Sequence, residues 1–377
     1  MPCKFAETRV PTEPGPARSS CYTELRSQIS QFKILSVGRI HVTGRETTLK
    51  PTIAGSAFLL GLLPLIASLI ADAQPTGKVH RIGMLETRST VLNAANLDAF
   101  RGGLQELGYK EGQNIEIVYR SSDGHDERFP HLASELVRLK IDLIVTRGTP
   151  AALAAKNASA TIPIVMAASG APVESGLVAS LARPGGNVTG LSSGIGESYP
   201  KRVQLLGELL PGLKRMAVIL NMGNPSIPRW WPVIGESARS LGIEPQLLDL
   251  RSAESLPRLF DAAAKQRAEA LIVGLDGITQ ANLRPIADLA AKHRLASIYP
   301  AKAYAQVGGL LAYGSIDAHL YHRAATFVDK ILKGAKPADL PIEQPMRWEF
   351  VINLKTAKAL ALTIPPSLLL RADQVIE

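Results

Sequence analysis

The 377 residues are 46% hydrophobic and 20% charged, which provides apolar material for two ordinary domain cores and excludes a wholly disordered chain. The formal charge of +9 is spread along the chain, with no basic run and no zinc-finger, homeodomain or RNA-recognition pattern, so no nucleic-acid partner is expected. Two cysteines, seven histidines and the absence of CxxC and HExxH leave no basis for a disulfide framework or a metal site, and no cofactor is expected.

In chain order, residues 1–44 are Pro/Ser/Thr-rich and without periodicity; they are expected to be a disordered extension or no part of the native protein. Arg45 and Lys50 then precede an apolar stretch from Ala57 to Ile70 that ends in Ala71-Asp72-Ala73. A basic flank, a short apolar core and a small-x-small exit make the three-part pattern of a signal peptide over 45–73, cleaved after Ala73, and place the mature protein in the periplasm. Pro64 and the small-residue exit argue against a membrane anchor. Cleavage would remove both Cys3 and Cys21 and leave 34 basic against 28 acidic residues, a charge of +6.

From Arg81 the chain alternates. The β-like run Arg81–Leu85 is followed by a helical pattern in which Leu97, Phe100, Leu104 and Leu107 recur at three- and four-residue spacings. Gly108 sits where a left-handed cap ends a helix. Ile115–Tyr119 reads as the next strand. The unit then repeats: helix 128–140, strand 143–146, helix 150–157, strand 164–167, helix 173–182 and strand 188–191. A second series runs through strand 216–220, helix 233–241, strand 246–250, helix 256–266, strand 270–273 and helix 283–293. The tail adds strand 310–313, a long helix 317–333 and strand 348–352. Short apolar strands separated by helices imply parallel sheets covered on both faces. The Leu-Gly pairs at 107–108 and 241–242 occupy equivalent points of two similar halves. The expected fold is therefore α/β, with two doubly wound parallel-sheet lobes.

Ligands of such sheets settle beyond the carboxyl ends of the strands, where loops and helix starts expose unpaired N–H groups. That rule selects Thr87, Thr149 and Ser169 in the first half and Asn221 and Asp276 in the second, with Tyr299 and Tyr313 near later strand ends. Small hydroxyls and glycines suit an anionic or zwitterionic group, and Asp276 would receive an ammonium. Each of these residues taken singly is equally an ordinary turn or cap residue. Trp230-Trp231 offers an aromatic surface to an apolar ligand moiety, or packing at the hinge.

Catalytic patterns fail on context. Gly190-Leu-Ser-Ser-Gly194 matches G-x-S-x-G, but Ile195–Ser198 delays the following helix to about Tyr199, whereas a nucleophile elbow needs the helix at once. His319 and His322, three apart on a helix with Asp317 nearby, read as surface residues rather than metal ligands. No GxGxxG or GxxxxGK[ST] occurs. No enzyme is expected.

The segments Leu143-Ile-Val-Thr-Arg-Gly-Thr-Pro-Ala-Ala-Leu-Ala-Ala-Lys156, Ile162-Pro-Ile-Val165, Pro172–Val178, Arg183-Pro-Gly-Gly-Asn-Val-Thr-Gly190 and Gly308–Gly314 resemble the ABC transporter substrate-binding protein family that includes tryptophan/tyrosine-type receptors. The resemblance runs from about residue 79 to the end. It implies a type I periplasmic-binding fold with a three-crossover hinge, lobe 1 being 78–194 plus 301–338 and lobe 2 being 195–300 plus 339–377. It further implies a monomer that encloses a small molecule, an aromatic amino acid or a similar amphipathic solute, and presents it to an ABC transporter permease in the inner membrane. Many members carry Asp before the Pro-Val at 172–173; this chain has Ala171. The alternatives are a receptor for a sensor kinase or chemoreceptor and, further off, a secreted α/β hydrolytic enzyme. A transcription regulator would share the fold but require an N-terminal helix-turn-helix.

Overall fold

The structure, a computed structural model, describes residues 78–377; the extension at 1–44 and the signal peptide expected at 45–73 lie outside the described residues. Five strands form the first sheet: β1 (His80–Glu86), β2 (Ile115–Ser121), β3 (Leu143–Arg147), β4 (Ile164–Ser169) and β5 (Val188–Ser192). All run parallel, in the order β2-β1-β3-β4-β5. Side chains alternate across the pleat. Ile82 and Met84 therefore face α1 (Ala94–Glu106) and α10 (Asp317–Leu332), meeting Phe100, Leu104 and Tyr321. Leu85, Ile144 and Met166 face α2 (Phe129–Arg138) and α3 (Thr149–Ala158), meeting Leu136 and Ala155. Gly108 adopts φ 90° and Gly242 φ 73°, the left-handed endings read from both Leu-Gly pairs.

The second sheet has seven strands in the order β12-β11-β10-β9-β8-β6-β7. They are β6 (Arg215–Leu220), β7 (Glu244–Asp249), β8 (Ala270–Val273), β9 (Ala296–Tyr299), β10 (Leu311–Ser315), β11 (Trp348–Asn353) and β12 (Gln374–Ile376). Only the β10–β11 pair is antiparallel. Helices α4 (Tyr199–Leu209) and α5 (Trp230–Ser240) cover one face, and α6 (Leu256–Lys265) and α8 (Leu283–Lys292) the other. The short α7 (Gly277–Ala281) lies between β8 and α8, the short α9 (Lys302–Gln306) lies between β9 and β10, and α11 (Leu354–Ala359) and α12 (Pro366–Leu369) follow β11.

Two expectations need correction. The segment expected as a helix at 173–182 forms turns as far as Gly176 and irregular bends beyond it; Pro172 and Pro184 flank it and Gly176 takes φ 74°, so its apolar residues reach the core without a helical repeat. The stretch 301–338, expected in lobe 1, is divided. Strand β10 pairs with β9 and β11 inside the second sheet, and the chain returns to the first lobe only at Asp317. The third crossing is likewise later than 339. Ile342 packs in the first lobe's core, and Glu343 exchanges backbone hydrogen bonds with Gly190 and Ser192. The crossings thus fall between Ser192 and Tyr199, between Ser315 and Asp317, and between Glu343 and Trp348. The first and third touch: a Cβ placed on Gly194 would lie 2.6 Å from Pro345 Cγ.

The same geometry settles the G-x-S-x-G match. Ser192 ends a strand, a short 3-10 turn at Ile195–Ser198 follows, and α4 begins at Tyr199. Gly190 serves the sheet: it pairs with Met166 at φ 120°, where a Cβ would stand 2.3 Å from the Met166 carbonyl oxygen. Because backbone rather than a flexible side chain blocks that space, Gly190→Ala is expected to cost about 3 kcal/mol or more. Equilibrium unfolding in denaturant would check this.

Candidate functional site

The carboxyl ends of both sheets face one another across a cavity with an empty volume of about 460 Å³, part of it open to solvent. From the first lobe it is lined by Thr87, Asp126, Arg147, Gly148, Thr149 and Ser193, and from the second by Asn224, Ser226, Asp276, Gly277 and Gln280. The lobes are in contact around it. Gly277 sits so close to the first lobe that a Cβ there would lie 3.0 Å from Thr87 Cγ2 and 3.1 Å from Asp126 Oδ1. Arg147 closes the floor, its guanidinium donating to Gln280 Oε1 of the second lobe and, at 2.7 Å, to Asp317 at the start of α10.

Each lobe fixes its own polar groups. Where β3 turns into α3, the Thr149 hydroxyl donates to the Gly170 carbonyl at 2.8 Å and lies 3.0 Å from Ser169 Oγ. Since Thr149 has one proton, Ser169 is the donor of that second bond. Opposite, Asp276 caps α7 by accepting from the Ile278 N–H at 3.0 Å, and Thr279 closes a capping box. Asn221 donates to its Oδ1 at 3.1 Å and Asn224 to its Oδ2 at 2.8 Å. Asn221 and Asn224 in turn accept from the Gly223 and Ser226 N–H groups. The carboxylate is held in place, not adrift.

Four buried polar side-chain atoms of residues lining this cavity have no hydrogen-bond partner among the described residues: Thr87 Oγ1, Asp126 Oδ1, Arg147 Nε and Ser193 Oγ. Buried polar groups are normally paired. Their convergence on one space, with hydroxyl, acceptor and cationic donor chemistry all present, marks it as a site for a small ligand bearing charges of both signs.

Burial governs the ionisation of the surrounding acids. Asp126 is pushed up to about 7, first by desolvation, then by Asp276 and Glu127. Asp276 is also raised by desolvation, although its bonds from Asn224, Asn221 and Ile278 oppose the shift. Beneath the cavity Glu86, fully buried at the end of β1, accepts from Tyr321 at 2.7 Å. Desolvation raises it to about 7 against the pull of Tyr321, Arg147 and Arg88. For Arg147 burial disfavours the charge, but Asp317, Tyr321 and Glu86 outweigh this and hold its pKa above the usual value.

Of the residues expected from sequence to bind ligand, Thr87, Thr149 and Asp276 line the cavity, while Ser169 and Asn221 stand directly behind, bonded to Thr149 and Asp276. Tyr299 and Tyr313 do not reach it. Tyr299 is buried in the second lobe's core, stacked on Tyr304 at 4.8 Å, and Tyr313 stacks on Trp348 at 5.7 Å. Their positions within strands, rather than in the loops beyond, direct both rings into packing. Trp230 also packs inward, its indole lying over Gly196 of the first crossing. Asp126, Ser193, Ser226 and Gln280 are additional. Asp126 lies in the loop after β2, so the strand-end rule applied to that strand too would have reached it. His322 pairs with Glu106 at 3.1 Å, away from the cavity.

Two doubly wound lobes, three crossings and a polar cavity between the strand ends define a two-lobed receptor of the type I periplasmic-binding class. The sequence model of the ABC transporter substrate binding protein family matches residues 90–376, and the chain belongs to that family. It is 28% identical over 276 residues to the tyrosine-binding protein of Clostridioides difficile (strain R20291), covering 72% of this chain and 79% of that one. A conserved domain protein from Vibrio cholerae O1 superposes with a TM-score of 0.74 at 27% identity, over 79% of this chain and 100% of that one. The ABC domain in complex with L-Trp from Streptococcus pneumonia gives 0.73 at 27% identity, over 79% and 99%.

The shift at Glu86 has a defined sign. A carboxyl whose folded pKa is raised adds stability below its unfolded value, near 4.5, and that stability is lost as pH rises through about 7. Glu86→Gln keeps an acceptor for Tyr321 and removes the titration. The melting temperature of the variant relative to the parent protein is therefore expected to rise between pH 5 and 7.5, on the order of several degrees; an unchanged difference would show that Glu86 stays ionised throughout.

Proposed function

We propose that this protein is the solute receptor of an ABC importer, exported to the periplasm, that closes its two lobes on a small zwitterionic solute and delivers it to a permease in the inner membrane. One observation carries the reading: the unpartnered, buried and oppositely polar atoms of Thr87, Asp126, Arg147 and Ser193 converge on the cavity between the lobes. An aromatic amino acid is the favoured ligand. The names of two relatives support it, one a tyrosine-binding protein and the other a structure in complex with L-Trp. The site is compatible with that class: polar groups for a carboxylate and an amine adjoin the apolar surfaces of Pro150, Ala168, Ile195 and Leu275.

Mechanism follows from where the contacts come from. A solute that touches both lobes binds the closed arrangement more tightly than the open one, and the difference in affinity is what shifts the population. No bond is made or broken. Membership of a family of substrate-binding proteins supports this non-enzymatic reading, and export rests on the signal sequence read at 45–73.

A thermal-shift screen of the purified protein against amino acids, aromatic acids, sugars and nucleosides tests the function. L-Trp or L-Tyr at 100 times its dissociation constant is expected to add about 2.7 kcal/mol, a rise of several degrees in Tm, and Ser193→Ala is expected to diminish it. Silence across the whole library would sink the receptor reading.

A further inference from the structure

We propose that Asp126 of the first lobe and Asp276 of the second together hold a cationic nitrogen of the ligand, so that a free ammonium is the feature this receptor selects and Asp126 is the residue that selects it. This deepens the receptor reading and rests on it.

The two carboxylates come from opposite sides of the cleft and meet at Gly277. Asp276 precedes that glycine in the chain, and Asp126 Oδ1 would lie 3.1 Å from a Cβ on it, so a side chain there would crowd Asp126. Neither carboxylate is in an ion pair among the described residues. Arg147, the one basic side chain among the described residues that line the cavity, is committed to Asp317 and Gln280. Negative charge therefore accumulates here without a protein cation to meet it.

The remaining acceptor capacity is specific. A carboxylate offers about four lone-pair positions. On Asp276, Asn221 and the Ile278 N–H bond Oδ1 and Asn224 bonds Oδ2, and the N–H groups of Gly277 and Thr279 also point to this carboxylate, so Asp276 contributes its charge and not a free lone pair. Asp126 Oδ1 is buried and accepts nothing. Thr87 Oγ1, on a buried side chain beside the same glycine, is also unpartnered among the described residues. Two unpartnered acceptors beside one glycine, with the Asp276 charge next to them, suit the N–H donors and the positive charge of a primary ammonium.

Electrostatics reinforces the choice. Bringing two desolvated carboxylates together is unfavourable while both are ionised, and burial with mutual repulsion raises Asp126 accordingly. A cation placed between them removes that cost of closure. A neutral group of the same shape does not. Selectivity would thus reside in the closing movement itself rather than in the first encounter.

The test is calorimetric titration of the purified protein at pH 8 with L-tryptophan, L-tyrosine, tryptamine, N-acetyl-L-tryptophan and indole-3-propionate. The parent protein is expected to bind an amino acid at least 100-fold more tightly than either analogue lacking a free ammonium. Asp126→Asn, an isosteric change at an atom with no protein partner, should weaken the amino acid at least 10-fold and leave indole-3-propionate within about threefold of its parent affinity. Circular dichroism and Tm check that the variant is folded, and Asp126→Glu, which restores the charge, should recover part of the loss. Amino-acid binding by Asp126→Asn within threefold of the parent, or equal binding of indole-3-propionate and L-tryptophan by the parent, overturns the proposal while the receptor reading stands. Failure of every compound to bind the parent protein defeats both.

Discussion

Arg147 stands at the point where the molecule's separate parts become one. It ends β3, has almost no exposed surface, and divides its guanidinium between Asp317, where the chain re-enters the first lobe, and Gln280 of the second lobe. A buried arginine is tolerable only when its hydrogen-bonding fork is met by fixed acceptors. Satisfying it therefore fixes the start of α10 and draws α7 toward the first sheet. The cavity lies directly above this contact, with Gly148, Thr149 and Thr87 on one side and Asp276 and Gly277 on the other. Loss of the Gln280 bond on opening would expose one arm of the guanidinium while the Asp317 arm held the return helix in place.

Around that contact the two lobes supply different kinds of rigidity. In the first lobe the hydroxyls of Thr149 and Ser169 tie the ends of β3 and β4 together through the Gly170 carbonyl. In the second, Asp276 gathers Asn221, Asn224 and the opening turn of α7. Both are networks in which most members already have partners, and the side chains left unpaired stand at their edges. Preformed surroundings reduce the ordering cost that binding must overcome. The ligand then completes the arrangement instead of organising it.

Much of this was legible in the chain. The alternation of short apolar strands with amphipathic helices follows from burial of both sheet faces, and so did the loops that carry Thr87, Thr149 and Asp276. The errors have physical causes. Residues 173–182 have helical spacing, but two prolines and a left-handed glycine direct them into turns and bends. Tyr299 and Tyr313 lie in strand positions whose direction is set by the pleat, which no count of residues from a strand end conveys. The placement of β10 in the second sheet depends on pairing with β11, more than thirty residues later, and local pattern does not register such a partner. Asp126 follows an edge strand, and it borders the cleft because the opposite lobe brings Gly277 to it, a contact that local pattern does not register.

The contact between Gly194 and Pro345 bears on how such a molecule can move. Two of the three connecting strands lean on each other there, with Trp348 close behind at 3.2 Å from a Cβ on the glycine. A rotation that preserves this contact must pivot about a line passing through it, as a door turns on adjacent pins, whereas a shear or a twist would pull the strands apart. With the remaining crossing between Ser315 and Asp317 as a second fixed point, the motion has one coordinate: the distance between any surface point on one lobe and any on the other is fixed once the angle is known. A partner resting on both lobes would therefore sense the state of the cleft from a single spacing at the rim, far from the groups that set it.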